Sequence, residues 1–275
     1  MAKIELHKLT KLFGAQEAEA VPMVEQGAEK QAILAKTGCS LALRRVDLTV
    51  EEGEIMVVIG LSGSGKSTLV RHINRLIDPT AGQVLVDGKD ITGLDDEALR
   101  EFRRRSVSMV FQGFGLMPHR TVLENVAFGL LAREEDKARS FDKARHWIET
   151  VGLSGYEAAK PEGLSGGMRQ RVGLARALAV DTGILLMDEA FSALDPLTRA
   201  DMQDLLLDLQ ARLKKTVLFV THDLDEAIRL GNRIAVMRDG ELVQVDTPAG
   251  ILDNPEDDYV RRFVQRRSGK TGLSS

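Results

Sequence analysis

The sequence contains one cysteine, Cys39, so an internal disulfide is excluded and the thiol is expected to be a small buried or half-buried group. It contains no run of 18 apolar residues, which excludes a helix spanning a bilayer. The opening MAKIELHKLTKLFG is charged throughout and has no apolar h-region, so a secretory signal is not expected. A cytoplasmic location follows as the expectation. Charge of one sign is not in excess either. With 37 basic against 41 acidic residues the net charge is −4, which argues against a dedicated nucleic-acid binder while leaving room for a local basic patch. Internal repeats and low-complexity tracts are absent. What remains is ordinary globular composition, 43% hydrophobic and 28% charged over 275 residues, enough to bury a sizeable core.

The pattern along the chain alternates apolar strands with amphipathic helices. IELHKLTKLF (4–13) reads as a strand and turn, and 14–44 as one or two short helices inserted before the next strand. In LTVEEGEIMVVIG (48–60) a turn precedes an unbroken apolar strand, as in a sheet covered on both faces. STLVRHINRLID places Leu69, Val70, Ile73, Leu76 and Ile77 on one helical face, with Pro79 ending the helix. QVLVDGKDI (83–91) and RIAVMRDGELVQV (233–245) read as hairpins, and SVSMVFQ (106–112), GILLMDE (183–189) and TVLFVTHD (216–223) as strands. Residues 113–180 are mostly helical in pattern, with a Thr-x-x-Glu capping box at 121–124 and a charged helix over 133–152. Asp195-Pro196 has the chemistry of a helix start. Arg103–Arg105 and the basic YVRRFVQRRSGK (259–270) read as solvated faces, the latter with anionic lipid as the alternative. Together these imply an α/β fold with a mostly parallel sheet, interrupted by a helical subdomain.

GLSGSGKST (60–68) fits G-x-x-x-x-G-K-[ST], and it lies between an apolar strand and a helix, the context that gives the match meaning. Gly60, Gly63 and Gly65 would let the backbone wrap phosphates closely, with Ser62, Ser64 and Thr68 as further binding positions; Lys66 would reach the β- and γ-phosphate oxygens, with Ser67 as Mg²⁺ ligand. A site of this kind needs a carboxylate at the end of a neighbouring strand. Asp188 would hold Mg²⁺, and Glu189, one residue further out, would polarise the attacking water as general base. His222, after another buried strand, could reach the γ-phosphate or position that water, although strand-end histidines also serve structure alone. Gln112 could join the Mg²⁺ and water network.

A second helix start, LSGGMRQRVGLARAL (164–178), also presents backbone N–H groups suited to an anion, without a lysine. The order GKST, strand-ending Gln, LSGG, Asp-Glu, SALD and strand-ending His resembles the ATP-binding-cassette ATPases over roughly residues 3–250. The resemblance implies a P-loop cassette within 1–275, with a mainly parallel core, an N-terminal antiparallel part, a helical subdomain at 113–180 carrying LSGG, and a C-terminal tail at 246–275. It implies ATP and Mg²⁺ as ligands and a head-to-tail homodimer, in which Ser165, Gly166 and Gly167 of one copy close over ATP held by the other. It places Asp195 of SALD at that interface and Phe13 where an aromatic ring stacks on adenine; core packing is the other reading of Phe13. The segment after Gln112, about 113–124, matches the region that docks a transmembrane permease on the cytoplasmic face of the membrane.

Departures from the common pattern narrow the resemblance. Met168 follows LSGG where most relatives have Gln, Ala190 follows Asp-Glu where most have Pro, and the 14–44 insertion stands out. These features are similar to ATPase subunits of bacterial uptake systems for glycine betaine, proline betaine and choline, some close relatives importing histidine. Such systems work with a solute-binding protein. Some members carry a paired regulatory CBS region; these 275 residues include none, so nutrient uptake fits as well as an osmotic role. A cassette working on nucleic acid usually has two cassettes or a long coiled-coil insertion, a kinase would lack LSGG and SALD, and a binding module without turnover would not need Glu189 and His222.

Overall fold

The computed structural model describes residues 1–271, with side chains to 265. Strand β1 (Ala2–Phe13) is followed by helices α1 (Glu17–Glu25) and α2 (Lys30–Thr37), then β2 (Ser40–Glu51), β3 (Ile55–Ile59) and α3 (Lys66–Ile73). A hairpin of β4 (Ala81–Val86) and β5 (Lys89–Asp90) precedes α4 (Asp96–Arg105) and β6 (Val107–Val110). Next come α5 (Val122–Leu131), α6 (Lys137–Thr150), α7 (Gly166–Ala179), β7 (Ile184–Asp188), α8 (Pro196–Leu213) and β8 (Thr216–Thr221). After them lie α9 (Leu224–Leu230), β9 (Arg233–Arg238), β10 (Glu241–Asp246), α10 (Pro248–Asp253) and α11 (Asp258–Thr271). They form two compact units: Met1–Leu99 with the chain from Val220 onward, and Arg100–Phe219.

In the first unit an antiparallel sheet runs β2-β1-β4-β5. β3, IMVVI, is buried at all five positions and pairs in parallel with β9, from Met56↔Arg233 to Ile59↔Val236. A strand covered on both faces has no polar side to alternate with, which is why it reads as a continuous apolar run. Both hairpins expected from the sequence form. Asp87-Gly88 and Asp239-Gly240 all adopt positive φ, the backbone that matches the twist of paired strands.

The expected insertion forms two helices, but it is shorter than 14–44. Gly38 ends α2 in the left-handed conformation, and residues 40–44 already belong to β2. The pair has its own core with the sheet, from Leu12, Ala20, Val24, Ile33, Cys39 and Leu41. Cys39 is buried there.

Helix α3 is also shorter than the apolar spacing predicts. It stops at Ile73, not at Pro79; Leu76 is 51% exposed and Ile77 is only half-buried. Asn74 leaves the helical conformation and Arg75 has φ 49. The Arg75 guanidinium donates to the Ile91 and Leu94 carbonyls at 3.0 and 2.8 Å, contacts that a continuing helix could not place.

In the second unit β6 and β7 pair in parallel, Val107↔Ile184 to Val110↔Met187, with β8 beside β7. All five residues of β7 are buried. The helical part holds one core, built on Val122, Val126, Leu130, Ala144, Ile148, Val172 and Ala175. Its helix starts are chemically explicit. Thr121 and Glu124 complete the capping box of α5. Asp136 caps α6 after Glu134 turns the chain at φ 61, so that helix begins later than 133. Arg104 and Arg105 are exposed on α4. The expected tail includes α10 and α11; its residues 272–275, and the side chains after 265, lie outside the described residues.

Candidate functional site

In the first unit β3 delivers the chain into Gly60, and the loop folds over the start of α3. A Cβ at Gly60 would strike the Met237 carbonyl oxygen and Ser64 Oγ, so this close approach of backbone to β9 requires glycine. Gly63 and Gly65 have φ 78 and 102. Lys66 is 4% exposed, and its Nζ donates to the Gly60 and Leu61 carbonyls at 2.9 and 3.1 Å. The hairpin turn supports the loop from beneath, with Gly240 N–H donating to Ser64 O at 3.0 Å. Ser62 is exposed; Ser67 and Thr68 are half-buried in the first turn of α3.

Several features of this loop suit a phosphate chain. Helix α3 has no side-chain cap and no acidic residue in its first turn. Its first N–H groups have no partner within the helix, and their partial positive charge favours an anion. Ser64 Oγ is buried without a hydrogen-bond partner among the described residues. The Ser67 hydroxyl at the end of this loop is a hard oxygen donor, the type Mg²⁺ takes together with phosphate oxygens. The residues therefore fit both groups.

Two further sequence candidates lie in this unit. His222 is exposed and immediately follows β8; Asp223 beside it caps α9 and donates its own N–H to Thr221 Oγ1 at 3.0 Å. Phe13 is 44% exposed at the end of β1, which excludes the core-packing reading. Lys11 Nζ lies 5.0 Å from its ring centroid and pairs with Glu17 at 3.3 Å.

In the second unit Asp188 ends β7 at 3% exposure, and Glu189 follows it half-buried. Glu189 has φ 47, a left-handed backbone that costs a non-glycine residue about 1 kcal/mol or more. Ser192 holds it there: its N–H and Oγ both donate to the Glu189 carbonyl, at 3.2 and 2.9 Å. Gln112 Nε2 donates to Glu189 Oε2 at 3.2 Å, so two of the candidates meet directly. Gln112 does not end a strand, however. β6 stops at Val110, and Gln112 is exposed at the start of the loop that follows.

Ser165 caps α7 by accepting the Met168 N–H at 3.2 Å. Asp195 caps α8 by accepting the Thr198 N–H at 3.1 Å, and hydrogen bonds from the Thr198 side chain and backbone hold its carboxyl below the usual range. The two helix starts touch. A Cβ at Gly167 would strike Thr198 Cγ2, and one at Gly166 would only graze Leu194. Gly167 is thus the point where the two motifs are fitted together.

Sequence reasoning overlooked three supports. Arg176 donates to the carbonyls of Gly115 and Phe114 at 2.6 and 3.1 Å, and the Arg169 guanidinium lies 5.3 Å from the Phe114 ring. Burial lowers the Arg176 pKa, and the two carbonyls compensate its charge. Phe114 and Gly115 have φ 62 and 59, an irregular backbone that these arginines pin to α7. Asn125, fully buried, binds the backbone at Met117, Arg120 and Thr121. The third support is Tyr259, far from the loop in sequence, whose hydroxyl accepts the Leu61 N–H at 3.2 Å. Apart from the glycines and a lone Tyr in the tail, no local pattern signals these contacts.

Comparison with known proteins places these features in context. The family described as ABC transporter matches residues 43–192. The glycine betaine/proline betaine transport system ATP-binding protein ProV of Escherichia coli (strain K12) is 56% identical over 263 residues, 96% of this chain and 66% of that protein. The glycine betaine transport ATP-binding protein OpuAA of Bacillus subtilis (strain 168) is 55% identical over 263 residues, covering 96% and 63%. The chain thus spans somewhat less than two thirds of the length of these relatives. The trimethylamine N-oxide transport system ATP-binding protein TmoW of Pelagibacter ubique (strain HTCC1062) is 47% identical over 262 residues, covering 95% and 76%. Among solved structures, the dimeric post-hydrolysis state of the ATP-binding cassette MJ0796 bound to ADP and Pi superposes with a TM-score of 0.75 at 34% identity, covering 89% of this chain and 98% of that one.

Proposed function

This chain belongs to the ABC transporter family, and from that premise we propose that it is the ATP-hydrolysing subunit of an importer for glycine betaine, proline betaine and related methylated amines. The observation that carries the reading is the likeness, at 56% identity over 96% of this chain, to a glycine betaine/proline betaine transport subunit. The likeness to a trimethylamine N-oxide transport subunit extends the substrate class to other small methylated nitrogens. A second reading, amino-acid import, draws on 43% identity over 248 residues to the methionine import protein MetN 2 of Enterococcus faecalis (strain ATCC 700802 / V583).

In this reading Lys66 and the first N–H groups of α3 neutralise the β- and γ-phosphates of ATP. Ser67, Asp188 and Gln112 are the residues that would hold Mg²⁺, which would withdraw charge from the phosphate chain. Phe13 offers its exposed face to adenine. Glu189 takes a proton from the attacking water, whose oxygen bonds to the γ-phosphorus as the bond to the bridging oxygen breaks, leaving ADP and phosphate. His222 positions that water. The protein forms no covalent bond, so orientation and electrostatics supply the rate.

Ser165, Gly166 and Gly167 act on ATP held by a second copy, and Asp195 lies at that interface. A permease contacts the 113–124 segment on the cytoplasmic face of the membrane, and a solute-binding protein delivers the amine. Arg176 and Arg169 tie Phe114 and Gly115 to α7, so a push on this loop is passed along the helix to Ser165.

Two experiments test these assignments. Reconstituted in proteoliposomes with its permease and solute-binding protein, the chain should drive ATP-dependent uptake of radiolabelled glycine betaine. Uptake of methionine or histidine alone would favour the second reading, and no ATP-dependent uptake would remove both. Gly167→Ala should lower turnover about 10- to 100-fold, because the new methyl drives Thr198 and α8 away from α7 and misplaces both helix starts. Its affinity for ATP at the phosphate loop should stay within about twofold, since Gly167 serves the opposite copy's nucleotide; parental turnover would show that the close fit is dispensable.

A further inference from the structure

We propose that Tyr259, on the terminal helix α11, is a positioning residue that holds the phosphate loop in its nucleotide-binding shape. The inference rests on the ATPase reading and extends it to a side chain nearly two hundred positions from the loop, a sequence separation of 198.

The geometry is a bridge. The Tyr259 hydroxyl accepts the Leu61 N–H and donates to the Met237 carbonyl, each at 3.2 Å. Met237 O is also the atom that a Cβ at Gly60 would strike, so the hydroxyl joins Leu61 to β9 beside the point where the Gly60 backbone passes closest to that strand. The ring itself is held on two sides. The Arg238 guanidinium lies 5.3 Å from its centroid and is paired with Asp257 at 2.7 Å, while the Phe263 ring packs at 5.7 Å. Val260, fully buried, anchors the same turn of α11.

Leu61 shows why the bridge matters. Its carbonyl accepts from Lys66 Nζ and its N–H donates to Tyr259, so the residue is gripped from two sides. When Lys66 turns to a phosphate, its hold on the Leu61 carbonyl weakens. Tyr259 then remains to keep Leu61 against β9 while Ser64 O stays on Gly240 N–H. A loop held in place loses less conformational freedom on binding, so part of the affinity for ATP comes from this hydroxyl.

The test is Tyr259→Phe, which deletes the hydroxyl and keeps the ring between Arg238 and Phe263. The variant should bind MgATP about five- to tenfold more weakly and raise KM for ATP by a similar factor, with kcat reduced no more than about twofold. In amide hydrogen exchange the Leu61 N–H should lose protection while the amides of β3 keep theirs. Unchanged affinity together with unchanged Leu61 protection would overturn the proposal. Tyr259→Leu, which also removes the ring, separates packing from hydrogen bonding: if Phe behaves as the parent and only Leu weakens binding, the hydroxyl has no positioning role. Lys66→Ala is assayed alongside. If it too binds ATP like the parent, the ATPase reading fails, and with it the proposal that Tyr259 shapes a nucleotide loop; if only Lys66→Ala weakens binding, the ATPase reading stands and the proposal alone is overturned.

Discussion

Glu189→Gln should cut ATP turnover by about 10²- to 10⁴-fold while MgATP still binds. The substitution is nearly isosteric. The amide oxygen can still accept from Gln112 Nε2, which now reaches Glu189 Oε2 at 3.2 Å, and the backbone stays at φ 47 under the two Ser192 hydrogen bonds. What is lost is a group able to take the proton from water. Geometry survives and basicity does not, so binding and chemistry should separate cleanly. Because ATP is retained and not consumed, the closed dimer should accumulate, visible as an ATP-dependent shift on size-exclusion chromatography. Single-turnover phosphate release measures the chemical step directly. A variant that released phosphate at the parental rate would show that the base lies elsewhere.

Lys66→Ala acts at the other end of the reaction and should weaken MgATP binding about 100-fold or more, roughly 3 kcal/mol. Lys66 is 4% exposed and donates to the Gly60 and Leu61 carbonyls at 2.9 and 3.1 Å. Alanine removes the cation expected on the phosphates and also leaves those two carbonyls without this donor, so the loop loses both its charge and part of its shape. Arginine should not rescue it. The guanidinium is a planar fork, larger than an ammonium, and the lysine it would replace is buried. Isothermal titration with MgATP checks the affinity, and circular dichroism should show unchanged total helix content, since α3 is anchored by Leu69, Val70 and Ile73, which are fully buried. Affinity equal to the parent's would remove Lys66 from the phosphate-binding role.

The site was readable to different depths at different residues. The phosphate loop, the Asp188-Glu189 strand end and the two helix starts at Ser165 and Asp195 are local: each depends on residues within a few positions of one another. Ser165 accepts from Met168 and Asp195 from Thr198, contacts three residues apart that any helix start places within reach. Gln112 was recognisable as a candidate, but its meeting with Glu189 spans 77 positions and had to be seen in the fold. The same holds for Tyr259, whose charged surroundings in the sequence suggest only a solvated helix.

By itself, then, the order of residues determined the buried strands, the hairpin turns, the helix caps and the phosphate loop, because steric rules for φ and ψ, side-chain capping and apolar periodicity act over a few residues at a time. The tertiary structure alone decided where α3 stops, which glycine must be bare of a methyl against Thr198, which arginine grips Phe114 and Gly115, and which hydroxyl reaches Leu61. Those outcomes depend on side chains and carbonyls brought together from distant parts of the chain. Their free energies arise only once folding has closed the loops between them and removed the water.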